Sequence, residues 1–514
     1  MKTTTRFPSF MIASAVAASL LAGCRVGPKY QRPPALAQAP PATYKESPQN
    51  FTGSDAWKVA QPQDAALHGK WWEIFNDAEL NSLEEKVDVD NQNIKLAFQN
   101  YMAARAIVTE ARSQLFPTVT FDPSFRESGS SANATTTTNS SANTTTVIPT
   151  SRVSGLFSLP IDVSWAPDLF GRIRNTIREQ QYQAQVSAAD LENERLVEQA
   201  SLAQFLFQVR GQDALLALLN QTISDYEKTL EYTRAQYETG IGTQISVVEA
   251  QENLQSAQAA ATNVGIARAQ YEHAIAVLIG ANPSTFSIPT RALDAVPPAI
   301  PLGLPSQLLE RRPDIAAAER TMAQANAAIG VADAAFFPTL SLDGTAGLSS
   351  ASFSHLFDWS SRVWSVGPSV SQTIYDGGLR RATVRQFVAQ YNADVANYRQ
   401  TVLTAFQQVE DYLAAVRILS QEIQQQQQAV ASAQQFVDLE LARYQTGIDP
   451  YVNVLTAQNT LLGSQQTLTN LRTQVMTSSV QLIMALGGGW DSSQLPTPQQ
   501  VSQTPPANQT TIQR

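Results

Sequence analysis

The chain has 514 residues and a formal net charge of −9, and only 15% of its residues are charged, against roughly 25% in typical soluble domains. This acidic balance disfavours nucleic acid as a partner, because binding to phosphates needs clustered lysine and arginine. One cysteine and three scattered histidines argue against an internal disulfide, a metal site or an enzyme that depends on a metal or a thiol. We therefore expect no metal, no cofactor and no catalytic residues.

Residues 1–23 are typical of a secretory signal peptide, because Lys2 and Arg6 precede an apolar stretch that runs from 10 to 21. That stretch ends in Leu-Ala-Gly-Cys24, which resembles the bacterial lipobox, where the signal is cut before the cysteine and the thiol is acylated. The resemblance implies a mature chain that starts at Cys24 and carries a covalent lipid such as palmitate. Because Arg25 follows, and not aspartate, it also implies release to the outer membrane. The alternative is an ordinary buried cysteine.

A proline-rich stretch within residues 24–70 predicts an extended N-terminal segment. Beyond it, four segments alternate apolar and polar residues as membrane-crossing strands do. They cover about residues 116–127, 152–165, 338–349 and 362–375. No mature segment has eighteen consecutive apolar residues, so a membrane crossing would have to use these strands. Four strands cannot close a barrel, so several chains would have to pool them, and three chains would give twelve.

The alternative for these strands is a pair of amphipathic hairpins on a soluble core. The low-complexity run of Ser, Thr, Asn and Ala at 128–150 disfavours that alternative, because such a sequence does not fold onto an apolar core. A solvated loop outside the cell suits the composition better.

Long helices are predicted to follow each pair of strands. Residues 172–239 and 379–446 contain no proline, and their apolar residues recur at steps of three and four. A helix of this length, at 1.5 Å per residue, would reach roughly 100 Å and would need a bundle to support it. Shorter helices are predicted at about 77–114, 243–279, 314–335 and 451–486.

The second half of the chain repeats the first with an offset of about 207 residues, which is too long for a solenoid repeat. The clearest match is Tyr237-Glu-Thr-Gly-Ile241 against Tyr444-Gln-Thr-Gly-Ile448. We therefore divide the chain into repeat 1 at 71–290, repeat 2 at 305–490 and a flexible C-terminal tail at 491–514. Each repeat has the order helix, two strands, long helix, helix.

Seven short motifs, in this order and spacing, make nearly the whole mature chain resemble a TolC-like outer-membrane efflux channel of the NodT-type lipoprotein branch. They are Cys24-Arg-Val-Gly-Pro-Lys-Tyr30, Trp71-Trp72, Asp168-Leu-Phe-Gly-Arg172, Leu309-Glu-Arg-Arg-Pro-Asp-Ile315, Phe336-Phe-Pro338, Tyr375-Asp-Gly-Gly378 and Leu486-Gly-Gly-Gly-Trp490. The resemblance implies an α+β membrane protein with four strands per chain. It further implies a homotrimer that forms a 12-stranded β-barrel in the outer membrane and a 12-helix tunnel in the periplasm.

Channels of this family are passive exit ducts for inner-membrane pumps of the RND type, which they meet through a periplasmic adaptor, or membrane fusion protein. The resemblance therefore implies that the turns after the two long helices contact the adaptor. These turns contain Thr239, Gly240, Ile241, Thr446, Gly447 and Ile448. Glycine at such a turn is also simply a helix C-cap.

The family also closes its periplasmic aperture with packed side chains, and a recurrent acid lies in a Leu-Leu-Asp-Ala-Gln pattern. Here that position is Thr456, which departs from the pattern. We assign the aperture to Glu249, Asp449, Val452 and Thr456. Carboxylates repeated around a narrow pore would favour cations and raise one another's pKa. The alternative role for Glu249 and Asp449 is to cap or solvate the starts of helices.

Two other functions are compatible with parts of this pattern. One is a type I protein secretion duct, and the other is a periplasmic tethering lipoprotein without a channel. The sequence does not identify the exported compound, because substrate choice belongs mainly to the pump.

Overall fold

The computed structural model describes residues 25–36, 43–47, 69–129, 153–293, 296–300 and 307–503. The predicted signal peptide, Cys24, most of the low-complexity run and residues 504–514 lie outside the described residues.

The helices of the first half are a 3-10 helix at Trp71–Phe75, α1 at Ala78–Asp90, α2 at Gln92–Ser113, α3 at Arg172–Glu238 and α4 at Gln244–Leu278. Those of the second half are α5 at Leu308–Arg311, α6 at Pro313–Ala334, α7 at Leu379–Gln445 and α8 at Tyr451–Ala485. The two halves match closely in length, because α3 and α7 each have 67 residues and α4 and α8 each have 35.

The predicted helix at 77–114 is in fact two helices, α1 and α2, that meet at Asn91. Asn91 has an extended backbone conformation, and its side chain accepts hydrogen bonds from the N–H groups of Asn93 and Ile94. An asparagine that caps a new helix in this way competes with helix continuation, and for this reason the single-helix prediction was wrong.

The ends of α4 and α8 rest on the ends of α1 and α5 through glycines at equivalent positions. Gly280 and Gly487 both have positive φ, at 66° and 96°. A Cβ atom on Gly280 would lie 2.7 Å from the carbonyl oxygen of Asp90, and one on Gly487 would overlap the carbonyl oxygen of Arg311. Only glycine permits both the backbone conformation and this close approach.

One antiparallel sheet joins the two halves. Its strands are β1 at Thr118–Phe121, β2 at Ser124–Gly129, β3 at Val153–Trp165, β4 at Thr339–Ser350 and β5 at Arg362–Ser371. Strand β3 pairs with β1 and β2 on one side and with β4 on the other, and β4 pairs with β5. The predicted strand at 116–127 is thus two segments separated by Asp122 and Pro123, since proline has no N–H to donate. The last strand ends at Ser371, four residues short of the predicted 375.

The register gives the sheet one apolar and one polar face. A row of mutually paired residues on the apolar face consists of Phe121, Ile161, Ala346 and Trp364. The adjacent row, on the polar face, consists of Thr120, Asp162, Thr345 and Ser365. Because side chains alternate along a strand, this difference extends along the whole sheet.

The N-terminal segment contacts the start of α3 and then helices of the second half of the chain. Val26 N–H donates to the Phe170 carbonyl, 3.2 Å away, beside the start of α3. Further on, the Tyr30 hydroxyl donates to the carboxylate of Glu319 on α6 (2.6 Å). The backbone N–H groups of Lys45 and Glu46 donate to Glu410 on α7.

The C-terminal segment runs along the first half, and the predicted flexible tail was wrong for residues 491–503. There a short helix, α9 at Pro498–Val501, begins with a complete capping box and buries Val501. Arg112 donates to the Ser502 carbonyl (2.9 Å), and Gln181 donates to the Ser502 hydroxyl (2.8 Å). The segment is held mainly by hydrogen bonds from α2 and α3. Its polar composition therefore gave no apolar pattern from which an ordered segment could be predicted.

The largest core cluster surrounds Trp71, Phe207 and Ile275, where the 3-10 helix and α1 contact α3 and α4. An ion pair is buried at the same level. Arg210 of α3 binds both Asp77, which caps α1, and Glu79 (2.9 Å to Oε2). These contacts fix the short helices of the first half against its long helix.

Candidate functional site

The two helical hairpins, α3–α4 and α7–α8, turn at the same end of the molecule. Near the turns a shared apolar cluster contains Leu230 and Ala250 from the first hairpin and Tyr444, Tyr451 and Val454 from the second. The sheet lies at the other end, because α3 and α7 begin shortly after β3 and β5. The chain thus places two adjacent turns at one end and the sheet at the other.

The two turns have the same backbone geometry. Gly240 and Gly447 adopt φ values of 77° and 76°. Gly240 N–H donates to the Tyr237 carbonyl (3.0 Å), and Ile241 N–H donates to the Gln236 carbonyl (2.9 Å). The second turn repeats both bonds at 3.0 Å, from Gly447 to Tyr444 and from Ile448 to Arg443. This is the Schellman motif, in which glycine provides the left-handed residue.

Both turns expose one aliphatic side chain. Ile241 and Ile448 are largely exposed. The hydroxyls of Thr239 and Thr446 instead donate back to the carbonyls of Ala235 (2.9 Å) and Ala442 (3.1 Å). Each turn therefore presents a rigid backbone and an isoleucine, which is a surface suited to contact with another protein.

The turns differ in how the next helix begins. In the first, the Thr243 hydroxyl accepts a hydrogen bond from Ser246 N–H at 3.2 Å and caps α4. In the second, Asp449 forms a bidentate ion pair with Arg443, in which the Nη2 contact is 3.1 Å. The Arg443 guanidinium lowers the pKa of the Asp449 carboxyl. Within one chain, Asp449 is thus neutralised by a neighbour that we did not predict, although Arg443 lies only six residues away across the turn.

The other predicted aperture residues lie on α4 and α8. Glu249 is half-buried beside the shared cluster. Burial of the phenol raises the pKa of Tyr451, with smaller contributions from Tyr226, Tyr444 and lastly Glu249. Val452 and Thr456 lie on one exposed face of α8, and the Thr456 hydroxyl donates to the Val452 carbonyl at 2.8 Å. The structure therefore brings Val452 and Thr456 together, whereas Asp449 is bound within its own turn.

Three tyrosines at the turns were also missed. The Tyr232 and Tyr444 rings meet edge to face with centroids 6.0 Å apart, and Tyr444 lies 5.5 Å from Tyr451. The structure shows one asymmetry here that the sequence repeat does not reveal. Tyr237 and Tyr444 occupy equivalent sequence positions, yet Tyr237 is 47% exposed and Tyr444 only 7%. Tyr444 of the second hairpin is covered by residues of the first hairpin. Tyr237 of the first hairpin stays exposed.

At the sheet end, polar contacts run across the polar face. The Thr345 hydroxyl donates to Asp162 (2.5 Å), and the Ser164 hydroxyl donates to Asp343 (2.8 Å). The polar face is therefore a network of hydroxyls and carboxylates that suits contact with water.

In the ranges that the structure describes, no helix has an apolar stretch long enough to cross a membrane. The same ranges contain no group of His, Cys, Asp and Glu side chains arranged to hold a metal ion.

Two long helical hairpins joined to a sheet with one apolar and one polar face define a channel-forming class of membrane protein. Comparison with known families gives the same result: residues 85–281 and 304–488 match the outer membrane efflux protein family. The chain belongs to this family.

Relatives and solved structures agree. The antibiotic efflux pump outer membrane protein ArpC of Pseudomonas putida is 33% identical over 485 residues, which cover 93% of this chain and 96% of ArpC. The toluene efflux pump outer membrane protein TtgC, also of Pseudomonas putida, has the same identity and coverage. The structure of the outer-membrane channel OprN superposes with a TM-score of 0.79 at 27% identity, and the match covers 91% of this chain and all of OprN.

Proposed function

We propose that three copies of this outer-membrane efflux channel form a single exit duct, through which an inner-membrane pump expels small toxic compounds. The observation that carries the proposal is a difference in burial between α3 and α7. These helices are equal in length and equivalent in sequence position, but α7 has far fewer buried residues.

Residues at equivalent positions of α3 and α7 show this difference in burial. Leu196 of α3 and Leu403 of α7 lie at equivalent positions, yet Leu196 is 8% exposed and Leu403 is 52% exposed. Helix α3 contacts α2, α4, α6 and α8, whereas the main helical contacts of α7 are with α6 and α8. Exposed apolar stripes of this kind mark contact surfaces. In a second copy, α2 could cover α7 of the first copy in the way that α2 covers α3 within one chain. Repeating this contact from copy to copy would form a closed ring.

The sheet supports the same assembly. Strand β5 has a partner on one side only, and β1 and β2 lie at the opposite edge. Open edges in lipid leave backbone groups without partners. Pairing β5 of one copy with β1 and β2 of the next would close the sheet, with the apolar face towards lipid and the polar face towards the lumen.

We assign the periplasmic mouth to the two turns, where Ile241 and Ile448 would contact the adaptor protein that links the duct to an RND-type pump. The exposure of both side chains on rigid turns supports this assignment. Glu249, Val452 and Thr456 would line the aperture just inside the mouth, and Asp449 would hold the second turn through Arg443.

We also assign a lipid anchor to Cys24. In support, a Cβ atom on Gly171 would lie 3.2 Å from the Arg25 Cα. The first described residue thus contacts the junction between the sheet and α3. An acyl chain on the preceding residue would enter the membrane where the strands leave it.

The exported compounds would be small and largely apolar. The names of ArpC and TtgC, which specify antibiotic and toluene efflux, support this class over secreted proteins. The duct would be passive and would act without catalysis or a cofactor, since transport energy comes from the pump.

The test is the native mass of protein extracted gently from outer membranes, together with its conductance in planar bilayers. We expect a trimer that conducts. Replacing Leu403 with Glu should shift the trimer towards monomer, because a charge would enter an apolar interface. Replacing Val296 with Glu, on the exposed connection between the halves, is the matched control and should leave the mass unchanged. A monomeric wild-type protein without conductance would overturn the proposal.

A further inference from the structure

The end of the β4–β5 hairpin displays aromatic side chains on a well-fixed loop. Phe353, Phe357 and Trp359 are all exposed, and Trp359 reaches 77%. The loop itself is held in place, because Leu356 is only 2% exposed and the Ser361 hydroxyl donates to the His355 carbonyl at 2.5 Å. The loop thus exposes these rings from a fixed backbone.

The exposed rings continue a row of aromatic contacts that crosses the sheet. Phe125 of β2 lies 4.4 Å from Phe157 of β3, measured between ring centroids. Phe157 lies 5.6 Å from Phe353, and Phe353 lies 6.3 Å from Phe357. Phe125 and Phe157 are paired on the apolar face. The row therefore marks one end of that face.

A cation lies at the edge of this row. Arg362 is the first residue of β5 and pairs with Leu348, so it shares the apolar face with Trp364. Its Nε donates to the Trp359 carbonyl at 2.8 Å, and its guanidinium stacks on the Trp359 ring. Among the described residues, no hydrogen-bond acceptor or ion-pair partner is found for its two Nη nitrogens. A guanidinium with two free donor groups, fixed by stacking, is prepared to bind an anion.

We propose that Arg362, with Trp359 beside it, binds the phosphate group of a lipid in the outer leaflet of the outer membrane. The proposal rests on the proposed function, which places the strands in that membrane. The loop connects β4 and β5 at the end of the sheet away from α7, and therefore lies on the outer side. Aromatic rings concentrate at the boundary between lipid tails and water. Arginine at that boundary meets lipid phosphates with the geometry that it binds best.

The test is native mass spectrometry of the purified trimer in neutral detergent, titrated with lipid A as the phosphate-bearing probe. Arg362→Gln should weaken lipid A binding about tenfold, because one charge-assisted contact is lost. Trp359→Leu should weaken it less, because the guanidinium loses only its stacking surface. The matched control is Arg126→Gln. Arg126 lies near the same end of the sheet but pairs with Leu156 on the opposite face, and its replacement should leave lipid A binding unchanged.

Equal effects of Arg362→Gln and Arg126→Gln, or no effect of either, would overturn the proposal. So would a loss of trimer in lipid-free detergent on replacing Arg362, because the side chain would then contact a neighbouring copy and not lipid. Conductance is recorded for each variant. A conducting trimer with unchanged lipid binding refutes only the lipid site, whereas absence of a trimer in the wild type refutes the proposed function itself.

Discussion

Gly211 of α3 and Thr473 of α8 meet where the two helices cross, and the space between them is too small for a methyl group. A Cβ atom on Gly211 would lie 2.8 Å from the Thr473 Cγ2 and 3.1 Å from its Cβ. The threonine cannot easily move away, because its hydroxyl donates to the Thr469 carbonyl at 3.1 Å. The single glycine of α3 thus sets the distance between the long helix of one half and the short helix of the other.

Gly211→Ala should therefore destabilise the protein by about 1–3 kcal/mol, the usual effect of overpacking. Gly265→Ala is the control, since Gly265 lies within α4 and nothing is found within 4 Å of its added Cβ. That change should instead stabilise the helix by up to about 1 kcal/mol. Denaturant unfolding followed by circular dichroism measures both. If the two variants behave alike, the helices have more freedom at this crossing than the distances indicate.

Arg210→Ala should be strongly destabilising, by about 3–5 kcal/mol, because Asp77 would remain buried without its counter-charge. Burial alone would raise the pKa of Asp77, but hydrogen bonds from Arg210 and from the Leu80 N–H lower it overall. Replacing Arg195 with Ala is the control, because its ion pairs with Asp88 and Glu192 are more exposed. That replacement should change stability by less than about 1 kcal/mol in an unfolding titration.

Glu84→Gln should stabilise the protein at neutral pH but not at acid pH. Glu84 is fully buried, and within the described part of the chain neither carboxylate oxygen has a hydrogen-bond partner. Burial, with a smaller effect from Asp88, raises the pKa of Glu84 well above its ordinary value.

The direction of the effect follows from linkage. Above the ordinary pKa the unfolded chain ionises Glu84 and the folded chain does not, so the wild type loses stability as pH rises from that value towards the folded pKa. The glutamine variant does not titrate. The variant should melt at a higher temperature than the wild type at pH 7.5, and the two melting temperatures should agree at pH 4. A gap that does not depend on pH would mean that Glu84 is ionised in the folded protein.

Asp449→Arg should abolish efflux, because it places a second cation beside Arg443 and opens the turn between α7 and α8. The double change Arg443→Asp with Asp449→Arg should restore most of the activity by exchanging the two charges. The measurement is growth of a strain that lacks the channel, complemented with each variant and exposed to an antibiotic or to toluene. A double variant as defective as the single one would show that the chemistry of Asp449, and not its ion pair, matters at the turn.

Much of the fold could be predicted from the sequence, because long helices and alternating strands leave regular patterns. The ends of α3 and α7 lie within a residue of the predicted positions, since the glycine turns at 240 and 447 are explicit stop signals. The break at Asn91 was missed because a capping asparagine resembles any polar residue on a helix surface. The ordered C-terminal segment was missed for a similar reason, since its contacts come from Arg112 and Gln181 far away in sequence.

The candidate site was less predictable than the fold. The repeat identified both turns, but it treated them as equivalent. In the structure, Asp449 forms an ion pair with Arg443 in the second turn. In the first turn the Thr243 hydroxyl caps α4 instead, and the described residues of that turn show no equivalent ion pair. The packing of the two halves against each other decides which residues of each turn are covered. A sequence pattern within one half cannot show which of its faces the other half covers.

The equal lengths of helices α3 and α7 keep the two turns at the same distance from the sheet. Both measure 67 residues, and at 1.5 Å per residue an inserted heptad would lengthen one of them by roughly 10 Å. Such an insertion in a single half would leave one turn projecting beyond the other and would break the common rim. Over evolutionary time, insertions or deletions in these helices should therefore be kept only in matched pairs, one in each half of the gene.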